Sequence, residues 1–96
     1  RDVPAANYPN PFNPETWMPF DLSEAADVTV TVYNAMGARV RRIELGGLAA
    51  GAYRAKQDAA YWDGRNTLGE RVASGVYVYE LRAREFRAIR RMLVRK

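Results

Sequence analysis

The sequence contains neither cysteine nor histidine. Without cysteine the chain has no disulfide and no thiolate nucleophile. The absence does not indicate whether the protein works in an oxidising or a reducing compartment. Without histidine it lacks the usual general base, the usual transition-metal ligand and the side chain that titrates near neutral pH. Ser74 therefore has no histidine to activate it, which excludes a hydrolase triad within this chain. These absences predict a protein that is not an enzyme.

Long apolar runs are also missing. No stretch reaches the roughly 20 apolar residues that a membrane-spanning helix needs. No ten-residue stretch shows the apolar stripe of an amphipathic helix. The sequence instead has 96 residues, 48% of them hydrophobic and 11% aromatic. This size and composition predict one domain with a core of its own, built from strands rather than helices.

Period-two alternation recurs along the chain and is typical of strands with one buried face. Val28, Val30 and Val32 give the clearest example, because they alternate with threonines and a tyrosine. Pro19 lies inside the run 18–22 and predicts an edge strand there. Gly46, Gly47 and Gly51 predict a loop, preceded by a strand with a bulge near residues 41–42. Strands are predicted at 18–22, 27–33, 40–45, around 53, 60–62, 76–83 and 86–95. About seven antiparallel strands with frequent turns predict an all-β sandwich.

Residues 1–15 are interpreted as a Pro-rich linker and lead-in, and residues 16–96 as the folded domain. Four prolines fall within the lead-in. They favour a stiff, extended and non-helical segment, because each fixes its own φ and restricts the preceding residue. We expect Tyr8 and Phe12 to pack onto the domain, the alternative being a connector with two stray aromatic residues.

The formal net charge is +4, and the basic excess is concentrated near the end of the sequence. Residues 82–96 contain seven basic side chains and one acid, Glu85. The alternation of Arg91 and Arg95 with apolar residues favours a strand over a nucleic-acid site, which would need interleaved exposed aromatics. Arg91, Arg95 and Lys96 are the candidate docking residues. A solvated strand face and a docking surface for an acidic partner both remain open.

Trp62, Asp63 and Gly64 form the most conspicuous cluster. Trp is enriched at binding hot spots, so a recognition patch is one interpretation. The structural interpretation is favoured, in which Trp62 is a core aromatic, Asp63 caps a turn and Gly64 supplies a positive φ. The oxygen donors near this cluster lack the close alternating spacing of a calcium loop. No metal site and no cofactor are predicted.

Several blocks of the sequence resemble a known family. They are residues 7–16, which contain Tyr8-Pro9-Asn10-Pro11-Phe12-Asn13-Pro14, then Val32-Tyr33-Asn34-Ala35-Met36-Gly37, residues 62–69, which begin Trp62-Asp63-Gly64-Arg65-Asn66, Ala73-Ser74-Gly75-Val76-Tyr77-Val78-Tyr79 and the basic-then-apolar residues 90–96. In this order they resemble the C-terminal sorting domains of type IX secretion, which are similar to the immunoglobulin-like domain of the flagellar hook-capping protein. The resemblance covers roughly residues 7–96 and adds Gly75 and Tyr77 to the structural motif. Residues 54–61 and the Arg-rich tail depart from the family pattern.

The resemblance implies an immunoglobulin-like sandwich at the end of a larger exported bacterial protein, located outside the cell or at the outer-membrane surface. Its partners would be N-terminal cargo domains of the same polypeptide and the export or anchoring machinery, with anionic lipopolysaccharide as a further candidate. The domain itself is expected to be monomeric and not to bind nucleic acid. One rival interpretation is a structural immunoglobulin-like module of a surface or appendage assembly. Another is a carbohydrate- or nucleic-acid-binding module that uses Trp17, the tyrosines and the arginines.

Overall fold

The computed structural model describes residues 3–4, 6–12 and 15–95, which form nine β-strands and no helix. The strands are β1 (Val3–Pro4), β2 (Thr16–Met18), β3 (Phe20–Leu22), β4 (Ala26–Asn34), β5 (Arg39–Leu48), β6 (Gly51–Tyr53), β7 (Ala60–Trp62), β8 (Gly75–Ala83) and β9 (Phe86–Val94). The all-β prediction is confirmed. The number of strands exceeds the predicted seven because short segments add β1 and divide a predicted strand into two.

The strands form one large sheet and two small ones, all antiparallel. The large sheet has the order β5-β4-β8-β9, and the small sheets have the orders β1-β3-β6 and β2-β7. One face of the large sheet packs against the small sheets, because a single apolar cluster contains side chains from both layers. Its most deeply buried members include Met18, Phe20, Val28, Val30, Val32, Trp62, Tyr79 and Leu81. The molecule is therefore an antiparallel β-sandwich.

The segment around Pro19 differs from the prediction of a single edge strand. The chain leaves β2 at Met18 and enters β3 at Phe20. The partner of β2 is β7, and the partners of β3 are β1 and β6. Pro19 has no N–H to continue a ladder, so the switch between sheets falls at this residue. The predicted burial of Met18, Phe20 and Leu22 on one side is confirmed.

The prediction of a loop at Gly46, Gly47 and Gly51 is wrong, since Gly46 and Gly47 lie in β5 and Gly51 begins β6. Val28 pairs with Gly46 and Thr29 with Glu44, so Leu45 is an extra residue on β5. Gly46 has a φ of +76°. A positive φ beside an extra residue is the geometry of a bulge that glycine accommodates at low cost. The glycines thus permit a bulge within a long strand.

The lead-in contacts both layers of the sandwich. Tyr8 forms an antiparallel bridge with Trp17, and Phe12 forms a parallel bridge with Val94. Asn7 is buried and its amide Nδ2 donates to Thr16 Oγ1 at 3.0 Å. Residues 1, 2, 5, 13 and 14 of the predicted lead-in lie outside the described residues. The division of the chain after residue 15 stays a prediction.

Candidate docking surface

The candidate docking residues lie on and just after β9, which is an edge strand of the large sheet. Met92 and Val94 are 2% and 6% exposed and point into the core. Arg91 and Arg95 alternate with them and are exposed. The structure thus brings Arg91 and Arg95 to the surface on the side of β9 away from the core, while Lys96 lies outside the described residues.

The lead-in covers the end of β9 that carries these arginines. The Phe12 N–H donates to the Leu93 carbonyl and the Arg95 N–H donates to the Phe12 carbonyl, each at 3.1 Å. The Leu93 N–H donates to Asn10 Oδ1 at 2.9 Å. The edge of β9 is therefore paired at this end, and a partner would meet side chains there rather than an open row of backbone groups.

The basic residues of the terminal segment do not form one surface. Arg87 and Arg91 are on the outward face of the large sheet, where Arg82 of β8 pairs with Arg87. Arg84 lies in the β8–β9 turn with a φ of +57°. Arg90 pairs with Tyr79, whose side chain is buried, and is on the opposite face. Successive side chains of β8 and β9 point to opposite faces of the sheet. The basic residues that are close in the sequence are therefore divided among two faces and a turn.

Glu80 is the acid on β8 within this basic region. Its Oε2 lies 2.6 Å from Arg87 Nε, and its side chain is 13% exposed. This ion pair neutralises one arginine of the outward face.

Sequence reasoning missed that β5 brings Arg39 and Arg42 to the same face, through pairing with β4. No short-range signal could have shown this, because β5 and β8 are distant in sequence and meet only through β4.

Trp62 lies in the core, 1% exposed. Its ring meets Phe12 and Tyr77 edge-to-face, with centroid distances of 5.5 and 5.9 Å. The indole Nε1 donates to the Arg65 carbonyl at 2.9 Å. A buried ring with its single donor satisfied contributes to packing and presents no surface to a partner.

Asp63 and Gly64 form the turn that follows β7. Asp63 Oδ1 accepts from the Arg65 N–H at 3.0 Å and from Arg41 Nη1 at 3.1 Å. Gly64 has a φ of +77°, which favours glycine. The carboxylate therefore holds both its own turn and the neighbouring strand β5.

Gly75 and Tyr77 lie at the start of β8. Gly75 has a φ of +153°. Tyr77 is 7% exposed, and its hydroxyl donates to the Ala73 carbonyl at 2.8 Å. Burial raises the pKa of Tyr77, and it raises the pKa of the more deeply buried Tyr79 to about 12. Both hydroxyls therefore remain protonated at neutral pH, as packed core tyrosines.

Three aromatic side chains lie next to each other on the opposite side of the molecule, across the lead-in, β2 and β7. Trp17 stacks with Tyr8 at 6.3 Å and meets Tyr61 at 5.5 Å between centroids. Lys56 Nζ lies 4.3 Å from the centroid of the Trp17 ring. Tyr61 in turn donates to Glu15 Oε1 at 2.7 Å, which raises the pKa of its phenol. The Trp17 ring is thus engaged with the chain's own side chains, which favours a role in stabilising β2 and β7.

Among residues 3–4, 6–12 and 15–95, no group of three or more acidic side chains is arranged to hold a metal ion. The same part of the chain has no helix of a length and apolarity that would cross a bilayer.

Comparison with solved structures shows the same fold in larger proteins. Dimeric latent PorU from Porphyromonas gingivalis matches 98% of this chain with a TM-score of 0.70 and 17% identity, over 9% of its own length. PorZ of the same organism, a surface component of the type-IX secretion system, matches 95% with a TM-score of 0.62 and 22% identity, over 11% of its length. FlgD from P. aeruginosa matches 97% with a TM-score of 0.59 and 23% identity, over 59% of its length.

The chain thus spans less than two thirds of each of these proteins. No curated protein sequence matches it significantly. The family model of the FlgD Ig-like domain matches residues 12–85, well over half of the 96 residues. The predicted immunoglobulin-like sandwich is confirmed, and the chain belongs to the FlgD Ig-like domain family.

Proposed function

We propose that the chain is a non-catalytic sorting or surface-attachment domain of a larger exported bacterial protein. The observation that carries this proposal is its similarity to domains that form about a tenth of two longer P. gingivalis proteins, one of them a surface component of type IX secretion. We expect a domain that forms a small part of long proteins to act in the placement or attachment of the rest of the protein. Its site of action is the cell exterior or the outer-membrane surface.

In this proposal β9 has two tasks. Met92 and Val94 complete the core, so the strand is needed for folding. Arg91, Arg95 and Lys96 are the residues that the export or anchoring machinery recognises, and attraction to an acidic surface guides the encounter. The other partners are the cargo domains of the same polypeptide, while anionic lipopolysaccharide is an alternative receptor for the same charges. The domain is monomeric and does not bind nucleic acid.

The test changes only the charges of Arg91, Arg95 and Lys96 in the full-length protein that carries this domain. Replacing Arg91, Arg95 and Lys96 by Gln should leave the free energy of unfolding within about 1 kcal/mol, because exposed ion pairs contribute little. Surface delivery of the cargo, measured by fractionation and immunolabelling, should fall. The matched control replaces Lys56, Arg71 and Arg84 by Gln, which removes the same charge from exposed positions elsewhere. Normal delivery of the folded test variant, or an equal loss in the control, would count against recognition of these charges.

A structural immunoglobulin-like module is the second candidate, favoured by the match to the FlgD domain. Removing residues 7–96 from the full-length protein separates the two. A sorting domain predicts that cargo accumulates inside the cell after this deletion. Normal delivery would leave the structural role.

A further inference from the structure

The outward face of the large sheet contains a trough that follows β4. The outward side chains of β4 are Asp27 at the start of the strand and Thr29, Thr31 and Tyr33 along the trough, and the two threonines are short. Longer side chains from β5 and β8 rise on either side and enclose a volume of about 220 Å³. Because the cavity has a floor of short side chains and walls on two neighbouring strands, its long axis follows the direction of β4.

The walls of the trough are basic. Arg39 and Arg42 stand on the β5 side, and Arg82 stands on the β8 side. The described residues include no carboxylate in an ion pair with Arg39 or Arg82, and Arg42 Nε is 3.7 Å from Glu44 Oε2 with both side chains more than half exposed. Such an exposed pair contributes little free energy, so a carboxylate of a partner can replace Glu44 beside Arg42.

One carboxylate, Glu80, also lines the trough. It is held by Arg87 at 2.6 Å, so its charge is already compensated from β9. The trough therefore keeps an excess of positive charge after its internal pairs are taken into account.

The three arginines follow the repeat of the strand. Arg82 pairs with Thr29, Arg42 with Thr31 and Arg39 with Tyr33. Successive pairs are two residues apart along β4, which is about 6.6–6.8 Å. An extended peptide lying along β4 places every second side chain on one side with this same repeat. A guanidinium group binds a carboxylate through two parallel hydrogen bonds, so one arginine is available at each step.

We propose that this trough binds an extended acidic segment of a protein partner, with Asp or Glu at every second position. The three carboxylates of the segment pair with Arg82, Arg42 and Arg39 in turn. Its intervening side chains point away from the trough. This inference goes beyond the proposed function, because it concerns different residues from those at the end of β9 and does not require export.

The test measures binding of a labelled peptide to the 96-residue chain by fluorescence anisotropy. The probe alternates Glu with Ser, and its comparison peptide has the same composition with the Glu residues contiguous. The alternating peptide should bind more tightly, and binding should weaken between low salt and an ionic strength of about 0.15 M. In NMR spectra, the largest changes in backbone amide chemical shift on binding should occur at Thr29, Thr31 and Tyr33.

Two variants with equal changes of charge separate the trough from general attraction. R42Q/R82Q should weaken binding of the alternating peptide at least about tenfold, because each lost bidentate pair is a charge-assisted contact. K56Q/R84Q removes the same charge outside the trough and should change affinity by less than about twofold. Circular dichroism and melting temperature establish that both variants fold.

Equal affinities of the two peptides, or equal weakening in the two double variants, would overturn the proposal. So would binding to vesicles of anionic phospholipid with no binding to the alternating peptide. If cargo delivery survives the removal of residues 7–96 while R42Q/R82Q weakens peptide binding as expected, the proposed function fails and the trough stands.

Discussion

Trp62 joins the lead-in, β7 and β8 through a single side chain. Its ring contacts Phe12 and Tyr77, and its N–H is bonded to the Arg65 carbonyl. Trp17, the other tryptophan, lies half-buried on the outside of β2. The two positions therefore offer a comparison of the same residue type in a core and on a surface.

Trp62→Ala should lower the free energy of unfolding by about 3–5 kcal/mol, because it removes a buried aromatic ring and leaves a cavity. Urea unfolding followed by circular dichroism measures the loss. Trp17→Ala is the control and should cost less, since part of its ring already contacts solvent. An unchanged melting temperature for Trp62→Ala would contradict the assignment of Trp62 to the core.

The role of Trp62 as a packing residue could be predicted from its type and from the turn residues that follow it. The role of Asn10 could not. Its side chain accepts the N–H of Leu93, a residue at the other end of the chain. Such a bond depends on how the lead-in is placed beside β9, and local residue preferences do not specify that placement.

At the scale of strands, the lead-in and β9 depend on each other. Phe12 inserts its ring into the core while its backbone N–H and carbonyl bond to the edge of β9. Edge strands are prone to pair with other chains, and a covering segment reduces that tendency. Phe12 therefore links the packing of the core with the protection of an edge.

Phe12→Ala should reduce stability by about 3–5 kcal/mol through loss of a buried ring. The loosened lead-in should also expose the end of β9 and promote self-association, which size-exclusion chromatography over a range of concentrations would detect. Phe12→Leu keeps an apolar side chain in the core and should cause a smaller loss with no association. Full stability of Phe12→Ala would show that the lead-in does not contribute to the sandwich.

The strands that could be predicted are those with one buried and one solvated face. In β4 this contrast produces alternating valines, in β8 alternating large side chains at Tyr77, Tyr79 and Leu81, and in β9 the inward positions Met92 and Val94. The switch of sheets at Pro19 and the bulge at Leu45 could not be predicted, because each depends on the partner strand. The trough could not be predicted for the same reason. Arg39, Arg42 and Arg82 lie near one another only because β5 and β8 both pair with β4.

At the scale of the whole molecule, the described residues form a compact unit. The Cα radius of gyration is 12.6 Å, close to the roughly 13 Å of a compact domain of about 100 residues. The exposed large apolar side chains include Met36, Leu68 and Ile89, which lie on different elements. Scattered apolar residues are ordinary for a monomer.

The 96-residue chain should therefore fold alone as a monomer, with one cooperative unfolding transition and a melting temperature unaffected by EDTA. Calorimetry at several protein concentrations, with and without the chelator, measures this. A transition that shifts with concentration would indicate an obligate oligomer. Unfolding on chelation would reveal a structural metal.

The parallel bridge between Phe12 and Val94 also sets the direction in which the contact between the lead-in and β9 resists force. The lead-in and β9 run in the same direction where they meet, so a pull on Phe12 toward residue 7 and on Val94 toward residue 95 acts at opposite ends of the pair. The hydrogen bonds at Phe12, Leu93 and Arg95 are then loaded together in shear rather than opened one after another. This contact should therefore resist a pull along the strands better than a pull that peels the lead-in away from β9.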